Sequence, residues 1–333
     1  MKQIGCLVLI FLILLSGLSG YVYQQIKTPL SPKPGKTIEL EIIPGSSAIS
    51  VARELENDGI IRGALFFRIW LKLSGQETKI KSGYYRLSSS ASIPEIVKQL
   101  VEEGVSYQMV TFPEGFTVKQ IGLILEDSGA IKAEAFMKAA KNYTFQLGDK
   151  TYKGAEGFLM PETYQINRSI TPTRMVEMMV KEFRKQIYPL YLKAKRQNPQ
   201  IMTLKNIIIL ASLVEREAAV DSERPIIAEV YYNRLNKSMP LQCDATIQYA
   251  LGKTKPELSF SDLKINSPYN TYLYPGLPPG AIGNPGKAAI LATLYPQKND
   301  YLYYVLNYDK NDGTHIFSEN YSQHLNHINN FRR

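Results

Sequence analysis

The chain opens on an apolar run: Gln3 to Ile26 contains no charged side chain, and Ile4 to Leu15 is almost unbroken Ile, Leu, Val and Phe. Coiled as a helix at about 1.5 Å per residue, this stretch reaches roughly 35 Å, enough to cross the hydrocarbon core of a bilayer with some tilt. The pattern predicts one membrane-crossing anchor over residues 1–27. A cleaved signal peptide is the rival, because Ser16, Gly17, Ser19 and Gly20 imitate a cleavage site, but its apolar region is usually shorter. Lys2 on one side and Lys27, Lys33 and Lys36 on the other give little loop bias. Pro29, Pro32 and Pro34 stiffen a linker over residues 28–37. Ile38-Glu-Leu-Glu-Ile-Ile43 then alternates as a strand does, and Pro44-Gly45 turns into a helix starting near Ser47. A second helix, Leu65 to Leu73, and a strand, Gly83 to Leu87, follow.

The same plan returns 70 residues on. Gly45, Leu55, Glu56, Gly59 and Ile61 match Gly115, Leu125, Glu126, Gly129 and Ile131, and strand Tyr107 to Phe112 stands in for Ile38 to Ile43. This reads as an internal repeat of a strand-turn-helix unit. In the first copy, strand, two helices and strand resemble a LysM-type carbohydrate module in order, though in no diagnostic motif. A generic α+β connector is the equal alternative. The reading sets a LysM-like domain at residues 38–106, a second repeat or connector at 107–153, and a third region at 154–333.

That third region mixes helices with short strands, so the fold class is α+β. Thr171 to about Arg196 carries Met175, Met178, Met179, Phe183 and Ile187 at helical spacing, a core stripe. Helices follow from Leu204 to Ala219 and from Ser222, a good cap, with Pro225 in the first turn. Asn266 to Gly286 is a loop rich in Pro, Gly and Asn; structureless spans of such length usually line a site. Tyr301 to Asn307 and Thr314 to Ser318 form a hairpin turning at Asp312-Gly313, and a last helix closes the chain.

Composition narrows the function. With 44% hydrophobic and 21% charged residues the chain has apolar mass for real cores, which excludes wholesale disorder. Its 39 Lys+Arg against 30 Asp+Glu give +9, which favours anionic lipid or an acidic polymer but lacks the concentrated patch of a nucleic-acid binder. Cys6 lies in the greasy N-terminus, far from Cys243, so a disulfide framework and a Cys-based zinc site are excluded. The three histidines, His315, His324 and His327, are too spread for a metal cluster.

Two carboxylates stand near the end of the helix Asn206 to Ala219. Glu217 continues the large-apolar stripe of Leu210, Leu213 and Val214, whereas Glu215 sits over Ala211, Ser212 and Ile208. A carboxyl among apolar groups has its charged form disfavoured and keeps a proton to donate. Glu217 is therefore the better-placed general acid. The bland alternative pairs it with an arginine such as Arg224 or Arg234.

Further motifs move the balance. Leu210-Ala-Ser-Leu-Val-Glu-Arg-Glu217, Ser222-Glu-Arg-Pro225, Tyr232-Asn-Arg-Leu235, Met239 to Thr246, Tyr269-Asn-Thr-Tyr272, Gly276 to Ile282, Glu156 to Tyr164 and His315-Ile-Phe-Ser318 together resemble the MltG/YceG-like endolytic murein transglycosylases, over essentially the whole chain. The family's catalytic acid, the second glutamate of Glu-x-Glu, falls on Glu217. Two departures stand out: Asp244-Ala-Thr246 replaces the usual Asp-Pro-Thr, with Cys243 where a hydroxyl residue is common, and Ala218 follows the acid.

The resemblance implies cleavage of the β-1,4 bond after N-acetylmuramic acid within peptidoglycan strands, giving 1,6-anhydro ends without water, metal or cofactor. One carboxyl suffices because the substrate's own C6 hydroxyl is the nucleophile. Expected substrate contacts are Glu215, Gln242, Asp244, Thr246, Asn270, Tyr272, Glu162, Tyr164 and His315. For several of these a structural reading is equally good: a capped turn for Gln242 to Thr246, a corner for Glu162 and Tyr164, a satisfied hairpin for His315. The implied place is the outer face of the cytoplasmic membrane, single-pass, with peptidoglycan synthases as implied partners and nucleic acid excluded. Two rivals remain: a hydrolase using water, with Glu215, Glu223 or Asp244 as second carboxylate, and a non-enzymatic wall-binding scaffold.

Overall fold

The computed structural model describes residues 2–32, 34–102, 107–167, 170–310 and 312–331; the side chains of residues 2–11, Tyr84 and Tyr107 lie outside the description. The chain divides into two compact units, Met1–Gln108 with Gln165–Ile170, and Met109–Tyr164 with Thr171–Arg333.

The first unit holds α1 (Lys2–Lys27), β1 (Thr37–Ile42), α2 (Ala48–Asn57), α3 (Ala64–Ser74), β2 (Gly83–Ser88) and α4 (Ile93–Glu102). β1 and β2 pair antiparallel from Thr37↔Ser88 to Ile42↔Gly83. Alternation sends Leu40 and Ile42 inward and Glu39 and Glu41 outward, as the sequence pattern requires. Ser47 accepts from the Ser50 N–H to start α2, and Val51, Ala52 and Leu55 form its buried face. Phe67 and Leu71 of α3 and Ile96, Val97 and Leu100 of α4 complete the core, which also takes in Ile26 at the end of α1.

The membrane-crossing expectation is not met in full. Among the described residues no helix is long and apolar enough to cross a membrane. Much of the run Ile4 to Leu15 falls at side chains outside the description, and the described remainder of α1 is diluted by Ser16, Gly17, Ser19, Gly20, Gln24 and Gln25.

The second unit is mixed α+β. It contains most of β3 (Tyr107–Thr111), which pairs with β6 (Thr163–Asn167), and between them α5 (Val118–Asp127), α6 (Ala133–Asn142), β4 (Thr144–Leu147) and β5 (Lys150–Lys153). Then come α7 (Pro172–Gln186), α8 (Tyr188–Gln197), α9 (Leu204–Glu217), α10 (Arg224–Asn236), α11 (Asp244–Leu251), α12 (Lys287–Leu294), the antiparallel hairpin β7 (Tyr303–Leu306) and β8 (His315–Ser318), and α13 (Tyr321–Phe331). Two helix expectations need correction. The long helix from Thr171 breaks at Ile187, because Pro189 lacks the N–H that a continuous helix needs and instead sits in the first turn of α8. Ser222 caps nothing: it lies in a 3-10 turn, Asp221–Glu223, and α10 begins at Arg224, where Pro225 fits the first turn.

The turn before α5 docks into the long loop of residues 266–286, which has no regular structure. The Gly115 N–H donates to the Asn284 carbonyl at 2.7 Å, and the Asn284 N–H to the Phe116 carbonyl at 2.9 Å. A Cβ on Gly283 would lie 2.4 Å from the Gly115 carbonyl oxygen, so this backbone approach requires glycine. Buried Asn284 also accepts from the Gly157 and Leu159 N–H groups and donates to Phe116 and Glu156, tying three loops together.

Candidate active site

Helix α9 starts on a Thr203 cap and is buried from Ile207 to Val214, with α10, α11 and α12 packed on it. Its last residue is Glu217, after which Ala218 leaves helical backbone. The Cys243 thiol donates to Glu217 Oε1 at 3.1 Å, and the Tyr304 hydroxyl to Oε2 at 2.9 Å. With Tyr304's proton directed at the carboxyl, Tyr231 donates to the Tyr304 oxygen across 3.0 Å. Among the described residues no Lys or Arg pairs with Glu217. Burial pushes its pKa up, the bonds from Cys243 and Tyr304 pull it partly back, and the Asp244 charge adds to the rise. The residue nevertheless keeps some surface open. A carboxyl whose protonated form burial favours is suited to proton delivery.

The donors around it stay neutral. Burial and the Glu217 charge push the Cys243 thiol and the Tyr304 hydroxyl well above their usual ranges. This sets two opposite expectations. Tyr304→Phe removes a bond that favours the carboxylate, so the Glu217 titration moves to higher pH. Cys243→Ser substitutes a stronger donor and moves it to lower pH. Carboxyl-carbon NMR titration of both variants checks the pair, and shifts of the same sign would refute it.

Glu215, two residues earlier, has a different task. Arg224 Nη1 stands 3.0 Å from its Oε1, and the Gly286 N–H donates to Oε2 at 2.9 Å. Its side chain is only 6% exposed, so the arginine pair weighed for Glu217 belongs to Glu215, which ties α9 to the long loop instead of meeting a sugar. Arg234 is bound by the carbonyls of Leu302, Pro240 and Leu241.

Asp244, Tyr272 and Gln242 lie on the accessible side. Asp244 opens α11 and accepts from the Tyr272 hydroxyl at 2.5 Å. Gln242 has a left-handed backbone, φ 50°, unusual for a residue with a Cβ, and an exposed side chain. Thr246 and Asn270, by contrast, have no surface for a sugar to touch. The Thr246 hydroxyl donates to the Cys243 carbonyl, and the Asn270 amide donates to the Leu263 and Ile265 carbonyls while its oxygen takes the Tyr272 and Leu273 N–H groups. They hold the turns that present Cys243 and Tyr272. His315 donates its backbone N–H to Glu223 and has Nδ1 2.7 Å from the other Glu223 oxygen, with its ring against Tyr304. Glu162 is exposed and takes a bond from Gln186; Tyr164 is buried, with its hydroxyl on the Met160 carbonyl, so this motif makes a corner. The residues that sequence reasoning missed are Tyr304 and Tyr231. Their strand and helix patterns mark them only as ordinary half-buried aromatics.

Comparison with known proteins gives the family. Residues 40–330 match the YceG-like family. The endolytic murein transglycosylase of Streptococcus pneumoniae (serotype 2, strain D39) is 32% identical over 352 aligned residues, covering 95% of this chain and 63% of that protein, so the chain spans less than two thirds of that relative. The endolytic murein transglycosylase of Bacillus subtilis (strain 168) is 30% identical over 90% of this chain and 86% of its own length. The crystal structure of a yceG-like protein from Listeria monocytogenes shares 31% identity and superposes with a TM-score of 0.59, covering 88% of this chain and 99% of that one. On the span and continuity of these matches, the chain belongs to the YceG-like family.

Proposed function

We propose that the chain is an endolytic lytic transglycosylase of peptidoglycan, with Glu217 as its single proton-cycling group. The observation that carries this reading is a carboxyl whose pKa burial raises, addressed by two neutral donors and, among the described residues, by no Lys or Arg, on a residue that keeps part of its surface. Glu217 gives its proton to the glycosidic oxygen as the C1–O bond breaks. The Cys243 and Tyr304 protons then stabilise the carboxylate, which takes the C6 hydroxyl proton as O6 closes on C1. Atoms balance without water, and the product is a 1,6-anhydro end. The names of the streptococcal and bacillar relatives support the same reaction and its endolytic mode. Gln242, Asp244 and Tyr272 are the sugar contacts we retain, because they combine polar groups with exposed or half-exposed positions.

One observation favours a second reading, hydrolysis: Asp244 is close enough for its charge to raise Glu217, and an accessible second carboxylate is what activation of water needs. Mass analysis of purified glycan digested in ¹⁸O water separates the two. The expected product is an unlabelled 1,6-anhydromuramyl end, lighter by one water, with intermediate lengths early in digestion; labelled reducing ends would establish the hydrolase.

The proposal extends to residues 1–27 as a single-pass anchor placing the body on the outer face of the cytoplasmic membrane. It is supported by the uncharged run from Gln3 to Ile26 and by the exposure of Leu12, Ile13, Leu14, Leu15 and Leu18 on α1. Recovery of the chain in the soluble fraction without detergent, during preparation for the digestion, would count against it. Residues 38–106 are proposed as a LysM-like glycan-holding segment on the strength of their β-α-α-β order.

A further inference from the structure

A cavity of about 500 Å³ opens among the start of α5, the end of α9, and α11 with the residues that follow it. Its lining brings together Lys119, Arg216 and Lys253, all exposed. Arg216 immediately precedes Glu217, and another lining residue, Ala245, immediately follows Asp244. Among the described residues, no carboxylate lies within ion-pair distance of these three cations; Arg216 reaches only the Gln248 side chain, at 3.4 Å.

The one acid in the cavity wall, Glu156, does not answer them. Its oxygens take the Val118 N–H at 3.0 and 3.1 Å and the Asn284 amide at 3.0 Å, and burial pushes its carboxyl up to about 8. The cavity therefore offers three cations and the amides of Gln120 and Gln248 to an anion. Its volume suits a short peptide or a small ligand.

We propose that this cavity is a subsite for the carboxylates of the peptide stems borne by the glycan, so that the enzyme holds a peptide-bearing strand next to the bond it cuts. This rests on the transglycosylase reading. The chemistry is that of the substrate: in a peptide-bearing strand the lactyl carboxyl of each muramic sugar is tied up in the amide that carries the peptide, so the free carboxylates offered to the lining are those of the peptides. Three exposed charges around one cavity act jointly on an anion but remain open to screening, which makes the effect salt-sensitive.

The test uses the full chain in detergent, soluble peptide-bearing glycan, and the same glycan stripped of its peptides by an amidase, with the lactyl carboxyls so freed then capped as methylamides, so that the stripped strand carries no acid of its own. Binding is measured for Glu217→Gln, which leaves the strands uncut, and for Glu217→Gln carrying Lys119→Glu and Lys253→Glu. Glu217→Gln should bind peptide-bearing glycan about ten-fold tighter than stripped glycan, and the added reversals or high salt should bring that ratio close to one. A ratio near one for Glu217→Gln alone, or a preference that survives both reversals with the thermal melt unchanged, overturns the subsite. Failure of the unsubstituted chain to cut either glycan would sink the transglycosylase reading instead, and the binding ratio would still decide the cavity.

Discussion

Glu217→Gln is expected to abolish strand cleavage, with a loss of at least about 10² to 10⁴ in rate, because in the proposed mechanism general acid and general base are the same group and the amide serves as neither. The fold should persist. An amide fills nearly the same volume, its oxygen still accepts from either Cys243 or Tyr304, and a group that burial keeps near neutrality loses little when made permanently neutral. Chromatography of the glycan products gives the activity and circular dichroism the melt. A variant that keeps more than about a tenth of wild-type cleavage would remove Glu217 from the mechanism, since no acid-base role is compatible with so small a loss.

The sequence pointed to Glu217 as the candidate acid for a reason that is only partly sound. The face argument set Glu217 on the stripe of Leu210, Leu213 and Val214, all of which are buried, but Ile208, Ala211 and Ser212 beneath Glu215 are buried just as deeply. Because α9 is enclosed on every side, helical periodicity does not separate its two glutamates. Arg224 does, by pairing with Glu215, and that contact depends on how the 3-10 turn and α10 return toward α9. Local pattern performed best where burial is one-sided, as in β1 and α2. It failed where the deciding partner is remote: Tyr304 reaches Glu217 across 87 positions of sequence. Thr246 and Asn270 illustrate the same limit from the other side, since a polar residue in a loop reads alike whether it faces a cleft or staples the turn beneath it.

Arg224→Met should be among the most destabilising single changes near the site. It removes the cation from the Glu215 carboxyl, whose side chain is 6% exposed, and also the tie to Asp221. Breaking a buried ion pair by deleting one partner costs about 3–5 kcal/mol, because a buried charge is left uncompensated, and in a unit of this size that lowers the melting temperature by roughly 10 °C. A second acid aggravates the loss. Glu114 packs against Gly286, and its pKa is already raised by burial and by the Glu215 charge, with Arg224 the main influence in the other direction. Without the arginine, Glu114 is driven further upward. A carboxyl whose folded-state pKa lies above its unfolded value favours folding at pH below the unfolded value, and loses that contribution as pH rises through the folded one. The deficit of Arg224→Met should thus be largest at neutral pH and shrink on acidification into the carboxylate range. Glu215→Gln combined with Arg224→Met removes both charges and should recover much of the stability, since a neutral pair leaves no orphaned ion. Denaturant melts of the two variants at pH 7 and pH 4.5 measure this directly. If Arg224→Met stays within about 1 kcal/mol of the parent at pH 7, the pair is an exposed-type contact with little hold on the loop, since contacts of that kind contribute no more than this.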